Sequence, residues 1–232
     1  MKKLRILLLI ICILICSFTF YVNDYYHANE DTLSYIQEYD ENKNLIFLPQ
    51  QDSHIGLIYY PGGKVEYEAY AAYMDKLSNK GITCILIKMP FNLAILDVNA
   101  ANGIIEQYPD IEQWYIGGHS LGGVVASMYI KDHLEQYSGL ILNGAYANED
   151  LSKSKLSILS IYGSEDGVLN LDKYEKNIVN LPNDFTEVII EGGNHSGFAN
   201  YGKQDGDNEA LISSDTQQEQ ATEIIYEWMT SK

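Results

Sequence analysis

A serine stands in a glycine-rich turn whose pattern is typical of a nucleophile. Gly118, Ser120 and Gly122 form the motif G-x-S-x-G between a short apolar run and a helical segment that begins near residue 124. In such a strand–turn–helix context the turn is strained, the hydroxyl projects above the sheet, and a Cβ atom two residues to either side would clash. The Leu121 amide at the start of the helix is then placed to bind an oxyanion. Taken alone, the motif also fits a small-residue turn without catalysis.

A serine hydroxyl becomes a good nucleophile only when a base accepts its proton. His195 is the best-placed histidine, because it lies in the loop G-G-N-H-S-G directly after a predicted strand. His119 adjoins Ser120 in the turn, and its side chain is expected to project away from the site. His133 is expected at a helix end. We therefore predict His195 as the general base.

A carboxylate must orient that base. Asp166 follows a predicted strand in the sequence G-S-E-D-G, and its neighbour Glu165 is the alternative. The chain order of Ser120, Asp166 and His195 is the order of nucleophile, acid and base in α/β-hydrolases. All three follow predicted strands, where sites form in open parallel sheets. The pattern predicts a Ser–His–Asp triad and acyl-transfer chemistry.

The second oxyanion donor is expected in the loop after an earlier strand. The sequence P-G-G-K-V follows the predicted strand 54–60, and we assign the donor to the Gly63 amide, with Lys64 as the alternative. Aromatic residues near strand ends often pack in the core instead of contacting a substrate, and this alternative applies to the aromatic residues among the substrate contacts named next. Substrate contacts are expected from Lys64, Pro90, Phe91, Asn92, Tyr146 and Phe198.

The elements that must position these residues alternate along the chain. Apolar, β-branched runs at 45–48, 54–60, 82–87, 114–116, 139–142, 158–162 and 185–190 are separated by helical patterns. Nearly continuous apolar runs are typical of strands buried on both faces of a parallel sheet. Ser214 and Gln217 form a capping-box pattern at the start of the last helix. The alternation predicts an α/β fold, with an open, mostly parallel sheet, helices on both faces and no inserted cap.

The motifs resemble those of the α/β-hydrolase superfamily, and more narrowly the "alpha/beta hydrolase fold-5" group of dienelactone-hydrolase-like serine hydrolases. The resemblance covers residues 45–232 and rests on the segments Y-P-G-G-K-V, M-P-F-N-L-A, G-H-S-L-G-G, Y-G-S-E-D-G and G-G-N-H, and on the stretch 200–207. It departs at Pro61, where many members have histidine, and at Phe198-Ala199. The resemblance implies a serine hydrolase with Ser120, Asp166 and His195 as its triad, and it names no substrate.

The N-terminus carries a membrane-targeting pattern. Lys2, Lys3 and Arg5 precede the uncharged apolar run 6–22, which is nearly long enough to cross a bilayer. We find no good signal-peptidase site, so the pattern predicts a signal anchor at 1–22, a tether and domain edge at 23–44, and a hydrolase domain at 45–232. The basic flank places the domain on the extracytoplasmic side of the cell membrane, in a single-pass arrangement. Secretion after signal cleavage is the alternative.

Composition excludes several classes of function. The net charge of −17 makes nucleic acid a poor partner. Of the three cysteines only Cys84 lies outside the apolar segment, which excludes a disulfide within the domain, and there is no zinc-type cluster. The acidic run 205–209 lacks the ligand spacing of an EF-hand and is interpreted as a solvated loop. We expect no metal and no organic cofactor, and the oligomeric state stays open.

The sequence thus predicts a serine hydrolase of carboxylesterase type that acts on a small-molecule ester or acyl substrate and associates with a membrane through its N-terminal segment. His195 accepts the Ser120 proton, an acyl-enzyme forms, and water releases the acyl group. The alternatives are an acyltransferase that uses the same triad and a membrane-tethered, non-catalytic binding module.

Overall fold

The computed structural model describes residues 2–231 and contains an eight-stranded sheet. The strands are β1 (Glu38–Tyr39), β2 (Leu45–Phe47), β3 (Ile55–Tyr60), β4 (Thr83–Leu86), β5 (Gln113–His119), β6 (Gly139–Asn143), β7 (Ser157–Gly163) and β8 (Thr186–Ile190). Their spatial order is β1-β2-β4-β3-β5-β6-β7-β8. Strands β3 to β8 are parallel, whereas β2 runs antiparallel to both β1 and β4. The predicted mostly parallel α/β sheet is confirmed.

Helices cover both faces of this sheet. The helices that the structure describes are α1 (Lys2–Asn23), α2 (Ala71–Asn79), α3 (Leu121–Ile130), α4 (Leu171–Asn177) and α5 (Ser214–Thr230), of which α1 does not pack on the sheet. Successive strand residues point to opposite faces, so Tyr59 packs in the cluster under α2 and α5 while Ile58 packs in the cluster under α3. Between β6 and β7 the described chain has only a loop, so no cap is inserted there, as predicted.

The strand register brings the candidate loops to one edge of the sheet. Tyr60 at the end of β3 pairs with Gly118, and His119 at the end of β5 pairs with Asn143. Strand β5 runs through His119, three residues beyond the apolar run 114–116 that predicted it. The carboxyl ends of these parallel strands therefore meet where Ser120 begins the next turn.

The start of α5 differs from the predicted capping box. The cap is Ser213, whose Oγ accepts a hydrogen bond from the Thr216 amide at 3.1 Å, so the assignment of Ser214 was wrong. Gln217 does not close a capping box, because its buried side-chain amide is bonded to the backbone of Asn194.

Helix α1 stands apart from the core. It has 22 residues, and its apolar window has a mean hydropathy of 2.6 with none of it buried. By length and composition this helix is able to cross a membrane, and a signal sequence meets the same criteria.

Candidate active site

Ser120 occupies a sharp turn between β5 and α3. Its backbone has φ 52° and ψ −124°, and its amide donates to the Asn143 carbonyl at 2.9 Å. Glycine is needed on both sides, because a Cβ on Gly118 would lie 2.5 Å from the carbonyl carbon of Gly122, and a Cβ on Gly122 would lie 2.2 Å from the Tyr60 carbonyl oxygen. The positive φ of a non-glycine residue is a strained conformation, which the packed glycines sustain.

His195 and Asp166 form a buried pair beside this turn. Nδ1 of His195 lies 2.8 Å from Oδ2 of Asp166, and each side chain is 1% exposed. The other carboxylate oxygen accepts the amides of Val168 at 3.0 Å and Leu169 at 2.7 Å. The carboxylate is thus an acceptor, so Nδ1 carries the donated proton and the lone pair is on Nε2. Nε2 is buried and has no hydrogen-bond partner among residues 2–231, so it is free to accept a proton.

The alternative acid has a different partner. The Glu165 carboxylate accepts a hydrogen bond from the Ser164 hydroxyl at 3.1 Å and is partly exposed. Of the two neighbouring acids, the structure therefore brings only Asp166 to the histidine.

Asp207 ties the two loops of the pair together. Its Oδ1 accepts the amides of Gly167 at 3.1 Å and His195 at 3.2 Å, and its Oδ2 accepts the Ser196 amide at 2.9 Å. The interpretation of 205–209 as a solvated loop is wrong for Asp207, which is 7% exposed because its carboxylate satisfies these backbone donors. No feature of the sequence marks this role, because the Gly167 amide is 40 residues away along the chain.

Helix α5 supports the histidine loop from the other side. Oε1 of Gln217 accepts the Asn194 amide at 3.0 Å, and its Nε2 donates to the Asn194 carbonyl at 2.8 Å. These two hydrogen bonds fix the backbone of Asn194, the residue before His195. The sequence does hint at this role, because Gln217 is a glutamine on the buried face of the last helix. The capping-box pattern instead led to its prediction as a capping residue.

His119 lies next to His195 rather than away from the site, so that expectation was wrong. The centroids of the two rings are 4.4 Å apart, because β5 continues through His119 and turns its side chain to the face of the sheet where Tyr70 and Phe198 lie. The Tyr70 hydroxyl accepts the Gly62 amide at 2.9 Å and lies 2.8 Å from Nδ1 of His119, to which we assign its proton. Burial first, and then the proximity of His195, hold the pKa of His119 well below its usual range, although the His195 backbone partly offsets this. His119 is thus neutral near pH 7.

The loop after β3 presents a free amide next to α3. Neither the Gly63 amide nor the Leu121 amide donates a hydrogen bond within the described chain, and a Cβ on Gly63 would lie 2.8 Å from Cδ2 of Leu121. The alternative donor is occupied, because the Lys64 amide donates to the Asn92 carbonyl at 2.7 Å. The Lys64 ammonium is bonded to Asp24 at 2.7 Å, so its side chain points to the N-terminal segment. The amides of Gly63 and Leu121 are therefore not occupied by another acceptor within residues 2–231.

A cavity of 230 Å³ opens above the serine. It is lined by Ser120, Leu121, Val124, Gly144, Ala145, Tyr146, Val168, Leu169, Asn170, Lys173 and His195. Tyr146 is thus the one residue of the predicted substrate-contact set that shares this cavity with Ser120 and His195. A Cβ on Gly144, which also lines this cavity, would approach Nδ1 of His195 to 3.0 Å.

The other predicted contacts lie elsewhere. Pro90 and Phe91 line a different cavity of 530 Å³ that does not include Ser120. Phe198 is fully buried, with its ring centroid 5.5 Å from that of His119, so it is a core residue and its assignment as a substrate contact was wrong. The short helical turn 196–198 directs its ring inward.

Comparison with known proteins places this geometry in context. Residues 56–219 match the model of a family described as the alpha/beta hydrolase family. No curated protein matches the sequence.

Several solved structures share the fold. Est1E from Butyrivibrio proteoclasticus, bound to ferulic acid, has 13% identity and a TM-score of 0.63 over 84% of this chain and 98% of its own. A soluble variant of monoglyceride lipase from Saccharomyces cerevisiae, in complex with a substrate analog, has 12% identity and a TM-score of 0.61 over 83% and 92%. Dienelactone hydrolase from Anabaena variabilis has 16% identity and a TM-score of 0.60 over 82% and 91%.

Proposed function

Because the chain belongs to the alpha/beta hydrolase family, we propose that it hydrolyses carboxylic esters with Ser120 as nucleophile, His195 as general base and Asp166 as the orienting acid. One observation carries this proposal. The buried pair of Asp166 and His195 leaves Nε2 of His195 unbonded, and His195 lines the same cavity as a serine held in a strained turn. Ester-cleaving enzymes among the proteins of similar fold support the same chemistry.

The reaction follows from these groups. Nε2 of His195 accepts the proton of the Ser120 hydroxyl as its oxygen attacks the ester carbonyl. The negative charge that develops on the carbonyl oxygen is bound by the Gly63 and Leu121 amides, which make no other hydrogen bond in the described chain. The proton on His195 passes to the departing alcohol, and an acyl-enzyme remains. Water then attacks it, giving its proton to His195, and the acid leaves as the serine regains its proton.

The cavity favours a small acyl group. Its 230 Å³ lies below the range of about 300–1,000 Å³ that is typical of ligand pockets. The walls mix apolar side chains such as Val168 and Leu169 with the polar Asn170. A short or medium-length acyl chain fits in this cavity, whereas a longer chain would not be enclosed by it.

Helix α1 is proposed as an uncleaved signal anchor. It is 22 residues long, uncharged from residue 6 to residue 22, and preceded by basic residues. The basic residues before the helix support an arrangement with the catalytic domain on the extracytoplasmic side of the cell membrane.

The test compares two neighbouring acids. Turnover of 4-nitrophenyl esters from acetate to decanoate is measured for the full-length protein in detergent, beside the variants Asp166→Asn and Glu165→Gln. Asp166→Asn is expected to lower kcat on the order of 10³–10⁴-fold because the imidazole loses its orienting acceptor. Glu165→Gln serves as the matched control, because within residues 2–231 the Glu165 carboxylate accepts a hydrogen bond from Ser164 alone. Equal losses in the two variants, or no turnover by a folded wild-type protein, would contradict the proposal.

A further inference from the structure

The end of helix α1 is joined directly to the loop that carries the free Gly63 amide. Three residues after the helix ends at Asn23, the Tyr26 amide donates to the Lys64 carbonyl at 2.8 Å, and the Glu66 amide donates to the Tyr26 carbonyl at 2.9 Å. The short connection, together with the bond between Lys64 and Asp24, fixes the end of the apolar helix beside the loop that carries Gly63.

A second loop contacts the apolar helix itself. The ring centroids of Phe18 and Phe91 are 5.6 Å apart in an edge-to-face arrangement. Phe18 lies inside the uncharged run, about 8 Å before the end of the helix at a rise of about 1.5 Å per residue. Phe91 is therefore level with the apolar part of α1 rather than with its polar end.

The backbone presents Phe91 outward. Phe91 and Asn92 have positive φ values of 52° and 56°, which side-chain-bearing residues rarely adopt. The hydrogen bond from the Lys64 amide to the Asn92 carbonyl anchors this turn to the loop after β3 that carries the Gly63 amide. Phe91 is 55% exposed, and Ile95 and Leu96, in the same loop, are 46% and 50% exposed. Exposed apolar side chains in such a group mark a contact surface.

The geometry points to a lipid surface as the partner of this loop: we infer that Phe91 inserts into the bilayer that α1 crosses, so that the Ser120 cavity opens at the lipid interface. The inference rests on the proposed anchoring of the chain by α1. The net charge of −17 favours neutral or zwitterionic lipids over anionic ones. The substrate class is then an amphiphilic ester whose acyl group enters the 230 Å³ cavity from the membrane surface.

The test measures the depth of the loop in the membrane. The full-length variants Phe91→Trp and Val179→Trp are reconstituted in phosphatidylcholine vesicles with and without brominated acyl chains, which quench nearby tryptophan. Val179 is a matched control because it is 74% exposed and lies between α4 and β8, the last strand of the sheet, whereas Phe91 follows β4, which lies toward the other side of the sheet. The native Trp114 and Trp228 are buried and contribute the same background to both variants. We expect bromine to lower the fluorescence of Phe91→Trp about twofold more than that of Val179→Trp.

Two measurements on the same samples separate the possible failures. Flotation with the vesicles reports whether α1 is inserted, and hydrolysis of a soluble ester reports whether the proposed activity is present. Equal quenching of the two variants in floating, active protein overturns the loop contact alone. Protein that does not float overturns both the anchoring and the loop contact. As a functional readout, Phe91→Ser is expected to lower the rate on an ester presented in vesicles about tenfold relative to Val179→Ser, and equal rates would count against the inference.

Discussion

The Asp207 carboxylate offers a sensitive test of how the catalytic pair is held. In Asp207→Asn one oxygen becomes an NH₂ group of nearly the same size, so the change removes an acceptor without opening a cavity. If Oδ2 is replaced, the Ser196 amide loses its 2.9 Å acceptor, and if Oδ1 is replaced, the amides of Gly167 and His195 lose theirs. The side chain will adopt the orientation that loses less, so at least one backbone donor is left unpaired.

The magnitude follows from that count. A hydrogen bond to a charged group contributes about 1.5–3 kcal/mol, and an unpaired buried donor costs a similar amount. One lost bond therefore predicts a loss of about 2–3 kcal/mol in the free energy of unfolding, or about 4–12 °C in Tm for a chain of this size. Because the lost bonds fix the backbone of the His195 loop, kcat is expected to fall about 10–100-fold at temperatures well below the new Tm.

The assay measures kcat for ester turnover and Tm for thermal unfolding in Asp207→Asn, with Asp205→Asn as the control variant. Asp205 is exposed in the same loop, and its carboxylate has no partner within the described chain, so both quantities should stay within about twofold of wild type. A loss of Tm without a loss of kcat would show that Asp207 only stabilises the fold. An Asp207→Asn variant that matches Asp205→Asn in both quantities would refute the reasoning.

Three further predictions concern the buried surroundings of the site. Tyr70→Phe leaves the Gly62 amide and Nδ1 of His119 unpaired, so the free energy of unfolding measured with urea should fall by about 2–4 kcal/mol. An unchanged free energy of unfolding would contradict the assigned hydrogen bonds. Since the pKa of His119 is lowered on folding, the unfolded chain binds the extra proton, and stability should fall as pH drops below about 6.5, by up to about 1.4 kcal/mol per pH unit. His119→Gln should make that slope shallower, and an unchanged slope would exclude His119 as its source. Gly122→Ala places a Cβ 2.2 Å from the Tyr60 carbonyl oxygen, so the free energy of unfolding should fall by more than about 3 kcal/mol. Soluble expression and thermal unfolding followed by circular dichroism would reveal this loss, and stability equal to that of the wild type would contradict the tight turn.

The positions of the candidate triad were predictable because each residue follows a strand with a strong local signal. Apolar runs marked β5, β7 and β8, and parallel strands bring their carboxyl ends to one edge of the sheet. The glycines around Ser120 were equally clear, since the close approach that requires them is a local property of the turn. The catalytic roles themselves stay predictions, as do the division of the chain at residues 22 and 44 and the side of the membrane.

The missed features depend on contacts between distant segments. Asp207 acquires its role from amides that are 11 to 40 residues away, and a single aspartate among other acids carries no pattern that reveals such partners. The predictions of where the His119 and Phe198 side chains lie were wrong for a related reason. Each depends on where a strand or a short helical turn ends, and apolar patterning locates such ends only to within a few residues.

The central claim is that Ser120 is a nucleophile activated by His195. The most direct measurement is labelling of the full-length protein in detergent with a fluorophosphonate, followed by mass-spectrometric mapping of the modified residue, beside Ser120→Ala and His195→Ala. The account predicts that the wild-type protein is labelled on Ser120 and that labelling is lost in both variants, because the serine is absent in one and the base in the other. A folded wild-type protein without label, or label on a serine other than Ser120, would contradict it.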